Sequence, residues 1–234
     1  MIRLVLRGQP FSPGPVRVAH PAARHAVVAR AVAGEPIELL NLAGEVAEGR
    51  LLRWEGRACW VDVERVERGR GEPPAPLVLA LAVLHTSAFD WAVEKATELG
   101  VTAIVPVLTA RVQGRRHEAR VLRWQRLADA AVVQCGRCRA PQIERPRPLE
   151  ALVTGATGQR WIADESSPPA AVAPAPAGCP VTVLVGPEGG FTPDELRLAL
   201  AASFVGLPLG NRTLRAETAA VAALVLAQSR AGWL

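Results

Sequence analysis

The chain has 234 residues, half of them hydrophobic, and a net charge of +5 at pH 7. That length and composition exclude a disordered or fibrous chain and leave room for one or two globular domains. Four scattered cysteines exclude a disulfide scaffold, and the longest uncharged stretch, 166–187, holds too many prolines for a membrane helix.

The N-terminus carries Arg3 and Arg7 and no long apolar run, so it is not a signal peptide, and the expected location is the cytoplasm. Short strand-like runs follow over 3–6, 36–41, 46–54 and 58–66, with one helical stretch over 21–32. Closely spaced short strands suggest a small barrel spanning 1–68, and GRGEPPAP at 69–76 reads as a linker. From residue 77 to 234 strands alternate with helices. Strands are expected over 77–83, 101–107, 160–163, 181–185 and 204–209. Helices are expected over 87–99, capped by Ser87, over 117–134 with Val121, Trp124, Ala128 and Val132 on one face, over 192–202, and from Glu217 onward. This alternation predicts an α/β domain on a parallel sheet, with ligands at the carboxyl ends of its strands. Residues 165–180 read as a low-complexity surface loop.

Lys95 is the only lysine, so the positive charge is almost all arginine. It fits either an anionic partner, whose phosphates the guanidinium fork suits, or a solvated basic surface. Arg115, Arg116, Arg120, Arg123 and Arg126, then Arg137, Arg139, Arg145 and Arg147, form two arginine-rich stretches open to the same two readings. Cys135 and Cys138 form a C-x-x-C, but zinc needs further ligands at compatible spacing and a redox motif needs a preceding strand. Neither is present, so no metal is expected.

The stretch VLVGPEGGFTPDEL (183–196) leads from a strand through Gly186, Pro187, Glu188, Gly189 and Gly190 into a helix. Thr192, Pro193 and Glu195 supply its capping box. The turn lacks the lysine of a phosphate loop and the spacing of a dinucleotide fingerprint, and Glu188 would repel a phosphate. It suits a ligand that is cationic or rich in donors; the alternative is a plain strand-to-helix connection. A second loop, in LPLGNRTLRAETAAVAAL, sets Arg212 and Arg215 beside Glu217 and Thr218 as the last helix begins. Glu217 suits the helix dipole there, whereas Arg215 in a tight loop requires an acceptor.

Together with WAVEKATELGVTAIVPV (91–107) and VVQCGRCRAPQI (132–143), these two segments resemble the SPOUT methyltransferases, most of all the RsmE family, which methylates N3 of a uridine in small-subunit (16S) ribosomal RNA. The resemblance implies a trefoil-knotted α/β domain behind a PUA-like RNA-binding barrel, a homodimer, and S-adenosylmethionine as cofactor. It carries cofactor binding onto Gly186, Pro187, Glu188, Gly189, Gly190, Leu209, Gly210, Leu214, Arg215 and Thr218. The cofactor's sulfonium and amino group, with no phosphate, account for a carboxylate in a glycine turn. For the transfer itself, Arg215 is expected to stabilise charge on the base and Glu217 to assist proton removal. The chain departs from the family pattern at Asn211, Ala216, 85–88 and 109–111. Two other readings stay open: 2′-O-ribose methylation by the same fold, and a non-catalytic RNA-binding protein.

Overall fold

The structure, a computed structural model, describes residues 1–111, 120–164, 176 and 178–234. It divides into two compact units, Met1–Glu72 with Val132–Ala140, and Pro73–Ala131 with Pro141–Leu234.

The first unit holds β1 (Ile2–Val5), β2 (Gly14–Val18), α1 (Arg24–Val28), β3 (Pro36–Leu40), β4 (Glu45–Glu55) and β5 (Ala58–Arg68). They form a five-stranded sheet in the order β1-β3-β4-β5-β2, parallel only between β1 and β3. Register shifts at Glu48/Gly49 and Leu51/Arg53 bend the long β4–β5 ribbon. Leu4 and Val18, from the two edge strands, share one core with Ile37, Leu39, Leu51 and Val61, so the sheet curls over a single interior. The expected helix over 21–32 is cut to five residues. Beyond the C-cap at Ala29, Arg30 takes a positive φ of 54°, which breaks the helical path. Strand β2 is not among the strand runs expected from the sequence. As an edge strand it tolerates Pro15, which cannot donate to a ladder.

The second unit holds β6 (Leu77–Ala82), α2 (Thr86–Glu98), β7 (Ala103–Leu108) and most of α3 (Val121–Cys135). After it come β8 (Gln142–Ile143), β9 (Arg147–Pro148), α4 (Leu149–Gly155), β10 (Gln159–Ala163), β11 (Val181–Val185), α5 (Pro193–Ala201), β12 (Val205–Gly206) and α6 (Ala216–Arg230). The sheet runs β12-β10-β11-β6-β7-β8, with β9 also on β7, and every pairing is parallel. Strand alternation sends Leu77, Leu79, Leu81 and Val183 to one face, where they pack with Phe89, Trp124 and Leu224 from α2, α3 and α6. Ala80, Val105, Val107 and Leu184 face the other way, onto Leu152 and Ala199 from α4 and α5. The predicted α/β layering with a parallel sheet is therefore the architecture found.

Several boundaries move. Helix α2 starts at Thr86, with His85 in the extended N-cap conformation and making no side-chain cap bond, so Ser87 lies inside the helix and does not cap it. The last strand shrinks to two residues, and α6 begins at Ala216. The expected loop over 165–180 lies mostly outside the described residues, as do Arg115, Arg116 and His117.

Candidate active site

Strand β11 is wholly buried and delivers the chain to Gly186 at its carboxyl end. A Cβ on Gly186 would lie 3.0 Å from the ring of buried Phe191, so any larger residue there would have to push that ring aside. The Gly190 amide donates to the Pro187 carbonyl at 2.8 Å, closing a four-residue turn, and Gly190 takes a φ of +70°. Pro187 is buried, whereas Glu188 and Gly189 are exposed at the tip. The capping box forms as expected. Glu195 N donates to Thr192 Oγ1 at 3.2 Å and Thr192 N to Glu195 Oε2 at 2.8 Å, with Pro193 in the first turn.

The second loop leaves β12 with the Leu207 amide bonded to the Ile162 carbonyl at 2.9 Å. Leu209 packs against the core, Gly210 and Arg212 are exposed, Leu214 is half-buried, and Arg215 forms the N-cap of α6 through backbone geometry alone. The guanidinium of Arg215 is exposed and makes no hydrogen bond or ion pair with any described residue. An acceptor for Arg215, a carboxylate or an RNA phosphate, is expected if the loop buries it; the loop leaves it exposed, so burial imposes no such need. Glu217 sits half-buried in the first turn of α6, where a carboxylate is favoured by the helix dipole.

A cavity of about 600 Å³ brings Glu188, Arg215, Glu217 and Thr218 together with Ser87, Ala88 and Trp91 of α2. Volumes of this order suit small-molecule ligands. Gly186, Pro187, Gly189, Gly190, Leu209, Gly210 and Leu214 lie on the two loops without lining that cavity. Ser87 and Ala88 fall in the segment 85–88 that departs from the family pattern, while Trp91 is not among the expected site residues. Trp91 is the telling one: 42% exposed on the first half of α2, where a core-packing tryptophan would be covered. Its signal was a tryptophan opening the WAVEKATELGV segment.

The arginine-rich stretches resolve unevenly. Arg137 is buried, with Nη2 2.6 Å from Glu72 Oε2, and is out of reach of any RNA. Arg123 pairs with Asp90 at 2.6 Å, and Arg147 pairs with Glu144. Arg126, Arg139 and Arg145 are exposed. Lys95 bridges Glu94 at 2.7 Å and Glu98 at 2.8 Å, and these hydrogen bonds push its ammonium up to about 12. It serves the helix surface of α2 as a cation already matched.

A family model described as an RNA methyltransferase domain matches residues 71–228. The chain belongs to this RNA methyltransferase family. Among its relatives is the ribosomal RNA small subunit methyltransferase E of Synechocystis sp., 33% identical over 162 residues, which cover 66% of this chain and 54% of that protein. The match thus spans about half the length of that relative. The protein of the same name from Mesomycoplasma hyopneumoniae is 32% identical over 164 residues, covering 68% of this chain and 71% of the relative. The solved ribosomal RNA small subunit methyltransferase E of Neisseria gonorrhoeae, bound to S-adenosylmethionine, superposes with a TM-score of 0.87 at 27% identity, over 98% of this chain and 97% of that one. The methyltransferase fold expected from the resemblance, an N-terminal sheet followed by a parallel α/β domain, is the fold of this chain. Among the described residues no helix is long and apolar enough to cross a membrane.

Proposed function

We propose that this chain transfers a methyl group from S-adenosylmethionine to N3 of a uridine in small-subunit ribosomal RNA. The observation that carries the reading is the cavity lined together by one guanidinium, Arg215, and two carboxylates, Glu188 and Glu217, none of them in an ion pair with another described residue, beside a glycine turn. The names of the relatives and the cofactor held by the Neisseria protein support it.

The donor set fits the cofactor. Exposed carboxylate at the turn favours a sulfonium and an ammonium, and the backbone of the GPEGG turn can approach an adenine edge closely. Gly186, Pro187, Glu188, Gly189 and Gly190 would hold it from one loop, and Leu209, Gly210, Leu214, Arg215 and Thr218 from the other. When bound, the cofactor supplies an electrophilic methyl group whose carbon–sulfur electron pair departs with sulfur as the new carbon–nitrogen bond forms.

The protein's own residues prepare the nucleophile. An unstacked uracil laid against Trp91 gains stacking on an exposed indole. Loss of the N3 proton spreads negative charge over the two flanking carbonyl oxygens, and the Arg215 guanidinium offers paired donors to that charge. Glu217 accepts the proton, directly or through one water. Arg126, Arg139 and Arg145 hold phosphates along the RNA. The chain acts as a homodimer in the cytoplasm. Val225 and Leu226 of α6, each more than a third exposed, supply apolar surface for a second copy.

Calorimetric titration with S-adenosylmethionine tests the cofactor half of the reading. Saturable binding is expected for the wild type and weaker binding for Gly189→Val, whose branched side chain would crowd the turn against the Arg111 stem, a Cβ there lying 3.3 Å from Arg111 Cδ. A folded wild type that takes up no cofactor contradicts it.

A further inference from the structure

Two loops meet at the GPEGG turn. After β7 the chain passes through Ala110 and Arg111, and the Arg111 guanidinium donates through Nη1 to the carbonyl of Gly189 and, at 3.4 Å, to that of Phe191. The aliphatic stem of Arg111 lies along the turn, close enough that a Cβ on Gly189 would touch its Cδ. A second tie lies one residue away. The Ala110 amide donates to Glu195 Oε1 at 2.7 Å, while Glu195 Oε2 accepts from the Thr192 amide at 2.8 Å. The dipeptide 110–111 therefore grips the turn from Gly189 to its exit into α5. These partners are 78 or more residues apart in the chain.

We infer that Arg111 is a positioning residue for the cofactor turn, fixing the carbonyls of Gly189 and Phe191 so that Glu188 is presented to the cavity. This rests on the reading that the turn holds S-adenosylmethionine. Three glycines in the five residues Gly186 to Gly190 leave an unbraced turn with many conformations, and each would have to be surrendered on binding. One charged donor shared between two carbonyls removes that freedom beforehand. Arg111 is itself exposed, so its truncation opens no hole in the core and the variant folds. An exposed arginine at a loop edge otherwise reads as an RNA contact. Its guanidinium here is directed at protein carbonyls instead.

The experiment compares wild type, Arg111→Lys and Arg111→Ala by amide hydrogen exchange without cofactor, by calorimetric titration with S-adenosylmethionine, and by the salt dependence of binding to small-subunit RNA. In Arg111→Ala, amides over 186–192 should exchange faster. Cofactor affinity should fall about tenfold or more while the salt slope of RNA binding stays unchanged. Arg111→Lys, with a point charge and no fork, should recover only part of the protection. Unchanged exchange and cofactor affinity, with a shallower salt slope, would overturn the inference and make Arg111 a phosphate contact. A wild type that fails to bind cofactor overturns the cofactor reading itself, while the exchange measurement still reports on the brace.

Discussion

The guanidinium of Arg137 is locked onto the carboxylate of Glu72, Nη2 to Oε2 at 2.6 Å, with the arginine side chain 4% exposed and the glutamate 13%. Glu72 also accepts from the Arg139 amide at 3.0 Å, so one carboxylate organises the segment from 137 to 139. Removing the arginine leaves that partly buried carboxylate with the Arg139 amide but no matching charge. Arg137→Ala should therefore lose about 3 kcal/mol of stability, seen as a lower urea midpoint. Its neighbour Arg139 is exposed, and Arg139→Ala should leave the midpoint nearly unchanged while reducing the salt slope of RNA binding by about one.

Glu38 is a buried carboxylate in the first unit, accepting from Arg3 Nε at 2.7 Å and Arg70 Nη1 at 2.8 Å. Burial alone would raise its pKa. The hydrogen bonds from Arg70 and Arg3, with their charges, outweigh burial and hold the carboxyl below its ordinary 4.5. A depressed folded value means the stabilisation is fully present above about pH 4.5 and is lost as pH falls through the lower folded value. Glu38→Gln should be less stable than wild type at pH 7, and the gap should close in acid. Chemical denaturation at a series of pH values checks this; a gap that widens in acid contradicts it.

How far the sequence reveals these features depends on range. The capping box at Thr192 and Glu195 is legible because its partners are three residues apart and their chemistry is local. The two layers of the second unit are legible because β6 and β11 are apolar and the helices between strands keep a 3.6-residue period. Arg137 and Arg139 are indistinguishable in sequence. Only the fold, by bringing Glu72 65 residues across the chain, buries one and leaves the other in water. Trp91 was missed for a related reason. Helical periodicity sorts faces, but it does not say that Ser87 and Ala88 leave the indole open to a cavity.

Trp91 gives a prediction for substrate binding. Stacking of a base on an exposed indole contributes about 2 kcal/mol, roughly 30-fold. Trp91→Ala should raise KM for RNA by that order and leave cofactor affinity intact, with Trp91→Phe retaining most of the binding. Light scattering on the same variants reports whether the assembly state is preserved. A rise in the cofactor Kd with RNA binding unchanged would place the indole against the cofactor instead.

Arg215 gives a prediction for the chemical step. A donor aimed at charge that develops in the transition state is worth about 10²–10³ in kcat. Arg215→Ala should bind S-adenosylmethionine with a modest loss and turn over slower by that factor, measured by single-turnover methyl transfer. An unchanged rate at saturating RNA and cofactor would remove Arg215 from the chemistry.

The central claim is the product. Wild-type protein, S-adenosylmethionine and small-subunit ribosomal RNA lacking the modification should be incubated together, and the RNA then digested and analysed by nucleoside mass spectrometry. The account predicts one new species, a uridine methylated on the base at N3, absent when Arg215→Ala replaces the wild type over the same interval. A ribose-methylated nucleoside, or no methylated product from a protein that binds both cofactor and RNA, would contradict it.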